Sequence, residues 1–163
     1  MDPKKILIAV DASENAKRAA AYVARVVGAT PGFRVILLTL ERPPERDLFK
    51  DDDSHRQACE ARERGMLAAQ DEIKHILTQG GVPAASIDAH YVASCKSPMA
   101  EGAEKCGLGQ SIALEILGYA KEQGCGTVVV GRRGVSKAEE FLFGSVSSKI
   151  VHSAKNCTVW VIS

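Results

Sequence analysis

Three stretches of this chain are apolar at almost every position: Ile6-Leu7-Ile8-Ala9-Val10, Val35-Ile36-Leu37-Leu38-Thr39-Leu40 and Thr127-Val128-Val129-Val130. A strand with one face in water alternates apolar and polar residues, so a strand without alternation is one covered on both faces. Parallel sheets achieve that cover by carrying helices above and below. Two further runs, Ile87 to Val92 and Thr158 to Ile162, also read as strands.

Helical patterns separate these runs. Ala16, Ala19, Ala20, Val23, Ala24 and Val27 recur at helix spacing after the cap Ser13, and Gly28 or Gly32 stops them. Met66, Ala69, Ile73, Ile76 and Leu77 form a second stripe before Gly80-Gly81. Ile112, Ala113, Ile116, Leu117 and Ala120 form a third that ends at Gly124, and Val146, Ile150, Val151 and Ala154 a fourth. Strand and helix therefore alternate, which demands right-handed crossovers. The expected fold is α/β: an open five-stranded parallel sheet in the order 3-2-1-4-5 with helices on both faces. A chain of 163 residues suits one such domain, spanning 1–163.

Two segments stand outside the alternation. Glu41 to Ser54, with Pro43-Pro44 and Asp51-Asp52-Asp53, reads as a solvated, partly mobile polar connector whose acidic triplet caps the next helix. Ser94 to Gly109 reads as an extended loop. Gly102 and Gly107 in it have P-loop separation, but Leu108-Gly109 stands where Lys-Ser or Lys-Thr is required.

A net charge of +1 gives no reason to expect nucleic acid or a membrane surface as partner. No apolar run approaches a membrane span, and the first apolar run ends directly in Asp11, unlike a secretory leader. These features predict a cytoplasmic protein. Five cysteines without a CxxC pair fit reduced thiols, with Cys125 and Cys157 packing as small apolar groups just before strands. Cys95 and Cys106 bracket the extended loop and leave a regulatory disulfide open. The four histidines have no ligand spacing, so no metal site is expected.

Chemistry concentrates where Val128-Val129-Val130 runs into Gly131-Arg132-Arg133-Gly134, and where Gly144-Ser145-Val146-Ser147 opens a helix. A glycine turn exposes backbone N–H groups, and a helix start adds more with a partial positive charge; together they form a phosphate cradle. The first strand ends at Asp11-Ala12-Ser13, and strand ends on either side of a change in winding direction form the crevice where ligands collect. Asp11 is thus expected to approach Gly131. Arg132 is read as solvent-facing, and Arg133 as equally placed to meet phosphate.

Taken together, Ile6 to Ser13, Val35 to Leu40, the spacing G-x2-G-x9-G-S from Gly131 to Ser145, and Cys157-Thr158-Val159-Trp160-Val161-Ile162 resemble the universal stress protein family, in particular its ATP-binding branch. The resemblance implies a Rossmann-like sheet of the adenine-nucleotide-binding type. It implies that Asp11 and the backbone at Ala9 and Val10 meet adenosine, and that Leu40 lines the adenine pocket. Val130, Gly131, Arg133 and Gly134 would flank ribose and phosphates, while Gly144, Ser145, Val146 and Ser147 would hold the terminal phosphates of ATP. Any magnesium would be held mostly by phosphate oxygens and water. The resemblance further implies a homodimer paired through Thr158 to Ile162, a strand at the sheet margin. The expected function is that of a nucleotide-dependent sensor or regulator in stress adaptation. The alternatives are slow ATP hydrolysis, with Glu139 and Glu140 as candidate bases, and redox response through Cys95 and Cys106. The family's Cys-Pro before the last strand is here Cys157-Thr158.

Overall fold

The computed structural model describes residues 1–28, 30–100, 111–132 and 144–163. Among them run strands β1 (Asp2–Ala9), β2 (Arg34–Leu40), β3 (Ile87–Val92), β4 (Cys125–Gly131) and β5 (Thr158–Ile162). Helices α1 (Glu14–Val27), α2 (Asp52–Gln79), α3 (Ile112–Glu122) and α4 (Ser145–Ser153) connect or follow them. All pairings are parallel and the order is β3-β2-β1-β4-β5, as the alternation of elements predicts.

The uninterrupted apolar runs resolve into two cores because successive residues of a strand point to opposite faces. Ile6, Ile8, Val35, Leu37 and Val129 face α1 and α2, where they meet Val23, Val27, Ile73 and Leu77. Leu7, Ile36, Leu38, Val128 and Val130 face α3 and α4, against Ala113, Ile116 and Ile150. Each fully buried Leu, Ile or Val stabilises the fold by about 1.5–3 kcal/mol relative to exposure. The alanine face of α1 lets it lie close to its neighbours, so close that a Cβ on Gly80 at the end of α2 would collide with Ala24.

Caps set the helix limits as local chemistry demands. Ser13 Oγ accepts the Ala16 N–H at 3.3 Å at the start of α1, and Gly28, at φ 40°, ends it. Asp51 accepts the Ser54 N–H at 2.7 Å at the start of α2, which confirms the capping role of the acidic triplet. That bond also holds the Asp51 carboxyl below its ordinary pKa.

Several boundaries and environments differ from expectation. Strand β1 begins at Asp2 and ends at Ala9, so Val10 lies just beyond it, and Cys125 is the first residue of β4 instead of preceding it. Helix α2 starts at Asp52, taking the end of the expected connector and the region before Met66. Its first half buries His55 and Cys59 instead of an aliphatic stripe, so it carries no clear apolar period. In α4, Val151 is exposed and Ser147 takes an inward position. Glu41 is not solvated: it is 6% exposed, and its carboxylate accepts the Ser94 N–H at 2.9 Å and the Ser97 hydroxyl at 2.7 Å.

Helix α2 is tied to the sheet by one side chain. The Gln70 amide nitrogen lies 3.3 Å from Leu37 O, 3.2 Å from Thr39 Oγ1 and 3.0 Å from His90 O, bridging β2 and β3. Met66, one turn earlier on the same face of α2, is thereby carried to the carboxyl end of the sheet.

Candidate functional site

At the carboxyl ends of β2, β1 and β4 lies a cavity of about 310 Å³. It sits where the order reverses, since β1 connects outward to β2 on one side and meets β4 on the other. Ten of the twelve residues expected at the site line it: Ala9, Val10, Asp11, Leu40, Val130, Gly131, Gly144, Ser145, Val146 and Ser147. Arg133 and Gly134 lie outside the described residues.

The β4 end of the cavity is formed by the start of α4. Gly144, the N-cap of α4, has an extended backbone at φ −70° and ψ 159°, open to any residue, and contributes no capping side chain. The N–H groups of Ser145, Val146 and Ser147 therefore keep the partial positive charge of a helix start with no intrahelical acceptor. Gly144 N donates to Arg132 O at 2.8 Å, and Ser147 Oγ lies 2.8 Å from that same carbonyl and 3.1 Å from Gly144 O. Ser147 is 2% exposed, so its hydroxyl pins the helix start to the end of β4 while its backbone N–H belongs to the first turn. Arg132, read from sequence as solvent-facing, is half-buried and borders the cavity.

Asp11 supports the neighbouring helix start indirectly. Its Oδ1 accepts the Ser13 N–H at 3.2 Å and also the Ser13 hydroxyl, and that hydroxyl oxygen caps α1. The second carboxylate oxygen is not used in these bonds. Gly131 has a packing reason of its own, because a Cβ there would lie 2.7 Å from Asn15 Cβ.

The β2 end is apolar. Leu38 and Leu40 line it from β2 and Met66 from α2, with the exposed Arg42 near Leu40 in sequence, while Ile112 and Ile116 of α3, which packs against β4 and α4, add apolar wall. Leu38 was legible as the i−2 neighbour of Leu40 on one strand face, and Ile112 with Ile116 as an i, i+4 pair. Arg42 stands two residues past Leu40 but beyond the apolar run, so the run gave no sign of it, and Met66 reaches the cavity from α2, distant in sequence from the strand ends.

The cysteines divide. Cys59, Cys125 and Cys157 are free thiols, and burial pushes all three above the ordinary thiol pKa. Cys95 is disulfide-bonded, departing from the reduced thiols expected in general but in keeping with the disulfide left open at Cys95 and Cys106; Cys106 lies outside the described residues. Among the described residues no group of three His, Cys, Asp or Glu could hold a metal ion, and no helix is long and apolar enough to cross a membrane.

A parallel α/β sheet with a cavity at its switch point, bordered by the first turn of α4, is a Rossmann-like architecture. The model of the universal stress protein family matches residues 3–163, and the chain belongs to that family. A curated relative, universal stress protein YxiE of Bacillus subtilis (strain 168), is 46% identical over 50 residues, a match covering 31% of this chain and 33% of that protein. Among solved structures, MJ0577, the subject of a structure-based assignment of biochemical function, superposes with a TM-score of 0.72 at 22% identity, covering 99% of this chain and 96% of that one. A universal stress protein in complex with cAMP gives a TM-score of 0.63 at 17% identity, over 98% of this chain and 96% of its own. The Archaeoglobus fulgidus universal stress protein in complex with dAMP gives 0.59 at 20%, over 98% and 97%. These likenesses establish the shared fold.

Proposed function

We propose that this chain is an ATP-binding universal stress protein, a cytoplasmic regulator whose shape or partner affinity changes with nucleotide occupancy. The observation that carries the reading is the start of α4, uncapped by any side chain and opening into a cavity whose other end is apolar. Phosphates would sit on the amides of Ser145, Val146 and Ser147, the base would occupy the slot beside Leu40, and Asp11 would accept from ribose hydroxyls. Family members solved with cAMP and dAMP support an adenine nucleotide as the ligand class. Magnesium, where present, would be coordinated by the phosphate oxygens and water.

Thermal unfolding with and without ATP and magnesium tests this. A ligand at about 100 times its Kd adds about 2.7 kcal/mol, which for a chain of this size raises Tm by roughly 5–10 °C. An unchanged Tm across ATP, ADP, AMP and cAMP at millimolar concentration would rule the proposal out.

The same reading includes a homodimer formed through β5. Among the described residues β5 pairs with β4 on one side only, and Val159, Trp160, Val161 and Ile162 are each half-buried. A second copy would supply hydrogen bonds to the open edge and cover these side chains. Light scattering over a range of concentrations tests it, and a persistent monomer would refute it.

One further reading has a specific observation behind it. The disulfide at Cys95 supports a redox response, which an oxidation-dependent change in electrophoretic mobility, lost in Cys95→Ser, would reveal. Hydrolysis has less support: Asp11 is the one carboxylate among the described cavity residues, and Glu139 and Glu140 lie outside the described residues.

A further inference from the structure

The exit of β2 is held from behind. Glu41 N donates to Val92 O at 2.9 Å, carrying the β2–β3 ladder one residue past Leu40. The Glu41 carboxylate is buried and engaged by Ser94 and Ser97, and Glu41 is not among the residues that line the cavity. Extended backbone alternates its side chains, so clamping residue 41 outward turns residues 40 and 42 together toward the cavity. Both Leu40 and Arg42 line it. The position of Arg42 at the rim is therefore fixed by a buried anchor next to it in sequence.

The surroundings define what such an arginine can recognise. Three charged residues line the described cavity, Asp11, Arg42 and Arg132. Arg132 stands beside the amides of α4, whereas Arg42 follows β2, about 10 Å away across two strand spacings. Leu40, two residues before Arg42, and Met66 of α2 line the same cavity as apolar side chains, and among the described residues no carboxylate pairs with the guanidinium. An apolar slot with a cation at its mouth suits a flat aromatic ring, because a guanidinium stacks on a π face and remains partly hydrated while doing so.

We propose that Arg42 closes over the exposed face of the nucleobase, with the Met66 thioether bordering the same ring, and so selects ligands that carry a purine in addition to phosphate. This rests on the nucleotide-binding reading above. Arg42 is exposed, so replacing it leaves the fold intact.

The test is titration calorimetry of the full chain and of Arg42→Ala and Arg42→Lys with ATP, with inorganic tripolyphosphate as competitor. The expected result is ATP binding weakened about two- to fivefold in Arg42→Ala, partial recovery in Arg42→Lys, and an unchanged inhibition constant for tripolyphosphate. Equal weakening of ATP and tripolyphosphate would assign Arg42 to the phosphates and overturn the inference. Unchanged ATP affinity in Arg42→Ala would overturn it while leaving the nucleotide reading standing. Failure of the unmodified chain to bind ATP would overturn both.

Discussion

Gly131, the last residue of β4, faces Asn15 in the first turn of α1 so closely that a Cβ on the glycine would stand 2.7 Å from Asn15 Cβ and 3.1 Å from its carbonyl carbon. Neither group can yield easily, because Asn15 is held in a helix capped by Ser13. The contact joins α1 to the end of β4 at the cavity wall. Gly131→Ala is predicted to destabilise the fold by about 1–3 kcal/mol through overpacking, read as a lower urea midpoint with an unchanged slope. A midpoint equal to that of the parent would show that α1 can move aside freely.

Gly144 gives a second prediction, in which stability and binding separate. Aspartate at this N-cap would accept from the first-turn amides of α4 and occupy the anion notch with its own carboxylate. Gly144→Asp is predicted to raise unfolding stability by about a few tenths of a kcal/mol while weakening ATP more than tenfold. Retained ATP affinity in a folded Gly144→Asp protein would show that phosphate binds elsewhere.

The anchor at Glu41 predicts a stability effect. Removing the carboxylate leaves the buried Ser94 N–H and Ser97 hydroxyl without their acceptor. Glu41→Ala is expected to cost about 1–3 kcal/mol by chemical denaturation, and a loss below about 0.5 kcal/mol would mean water replaces the carboxylate at no penalty.

Tyr91 gives an alkaline signature. Its hydroxyl is buried without a hydrogen-bond partner among the described residues. Burial, reinforced by the nearby Glu41 charge, pushes its pKa far above the ordinary phenol value. A raised folded pKa means the folded state keeps its proton when the unfolded state releases one, so the contribution is intact below about pH 10 and is lost as pH rises beyond it. Tyr91→Phe should therefore flatten the fall in Tm above about pH 10. At neutral pH it should be neutral or stabilising by about 1 kcal/mol, because an unsatisfied polar group is removed. A steeper alkaline decline in the variant would contradict this account.

Much of this molecule was legible locally. The apolar runs from Ile6 and Val35 announced two-sided burial, Ser13 and Asp51 announced helix starts, and the glycines at Gly131 and Gly144 marked the ends of β4 and the start of α4. Each signal depends on neighbours within a few residues: strand pleat, helix period or cap. Alternation and crossover handedness implied a parallel sheet, and the expected order 3-2-1-4-5 is the one observed, with Asp11 and Gly131 lining one cavity.

Other features needed the folded chain. Glu41 looked like the first residue of a solvated connector until Ser94 and Ser97 met it, partners more than fifty positions away. Met66 lines the cavity one turn before Gln70, whose amide bridges β2 to β3, and Arg42 lines it next to the buried Glu41. Sequence determined which segments are strand and helix, and the cleft where the two halves of the sheet part, because those depend on short-range periodicity and chain handedness. Tertiary structure alone decided which polar groups are buried and which side chains from distant segments line the cavity, because burial and pairing are set by whatever the rest of the fold brings alongside.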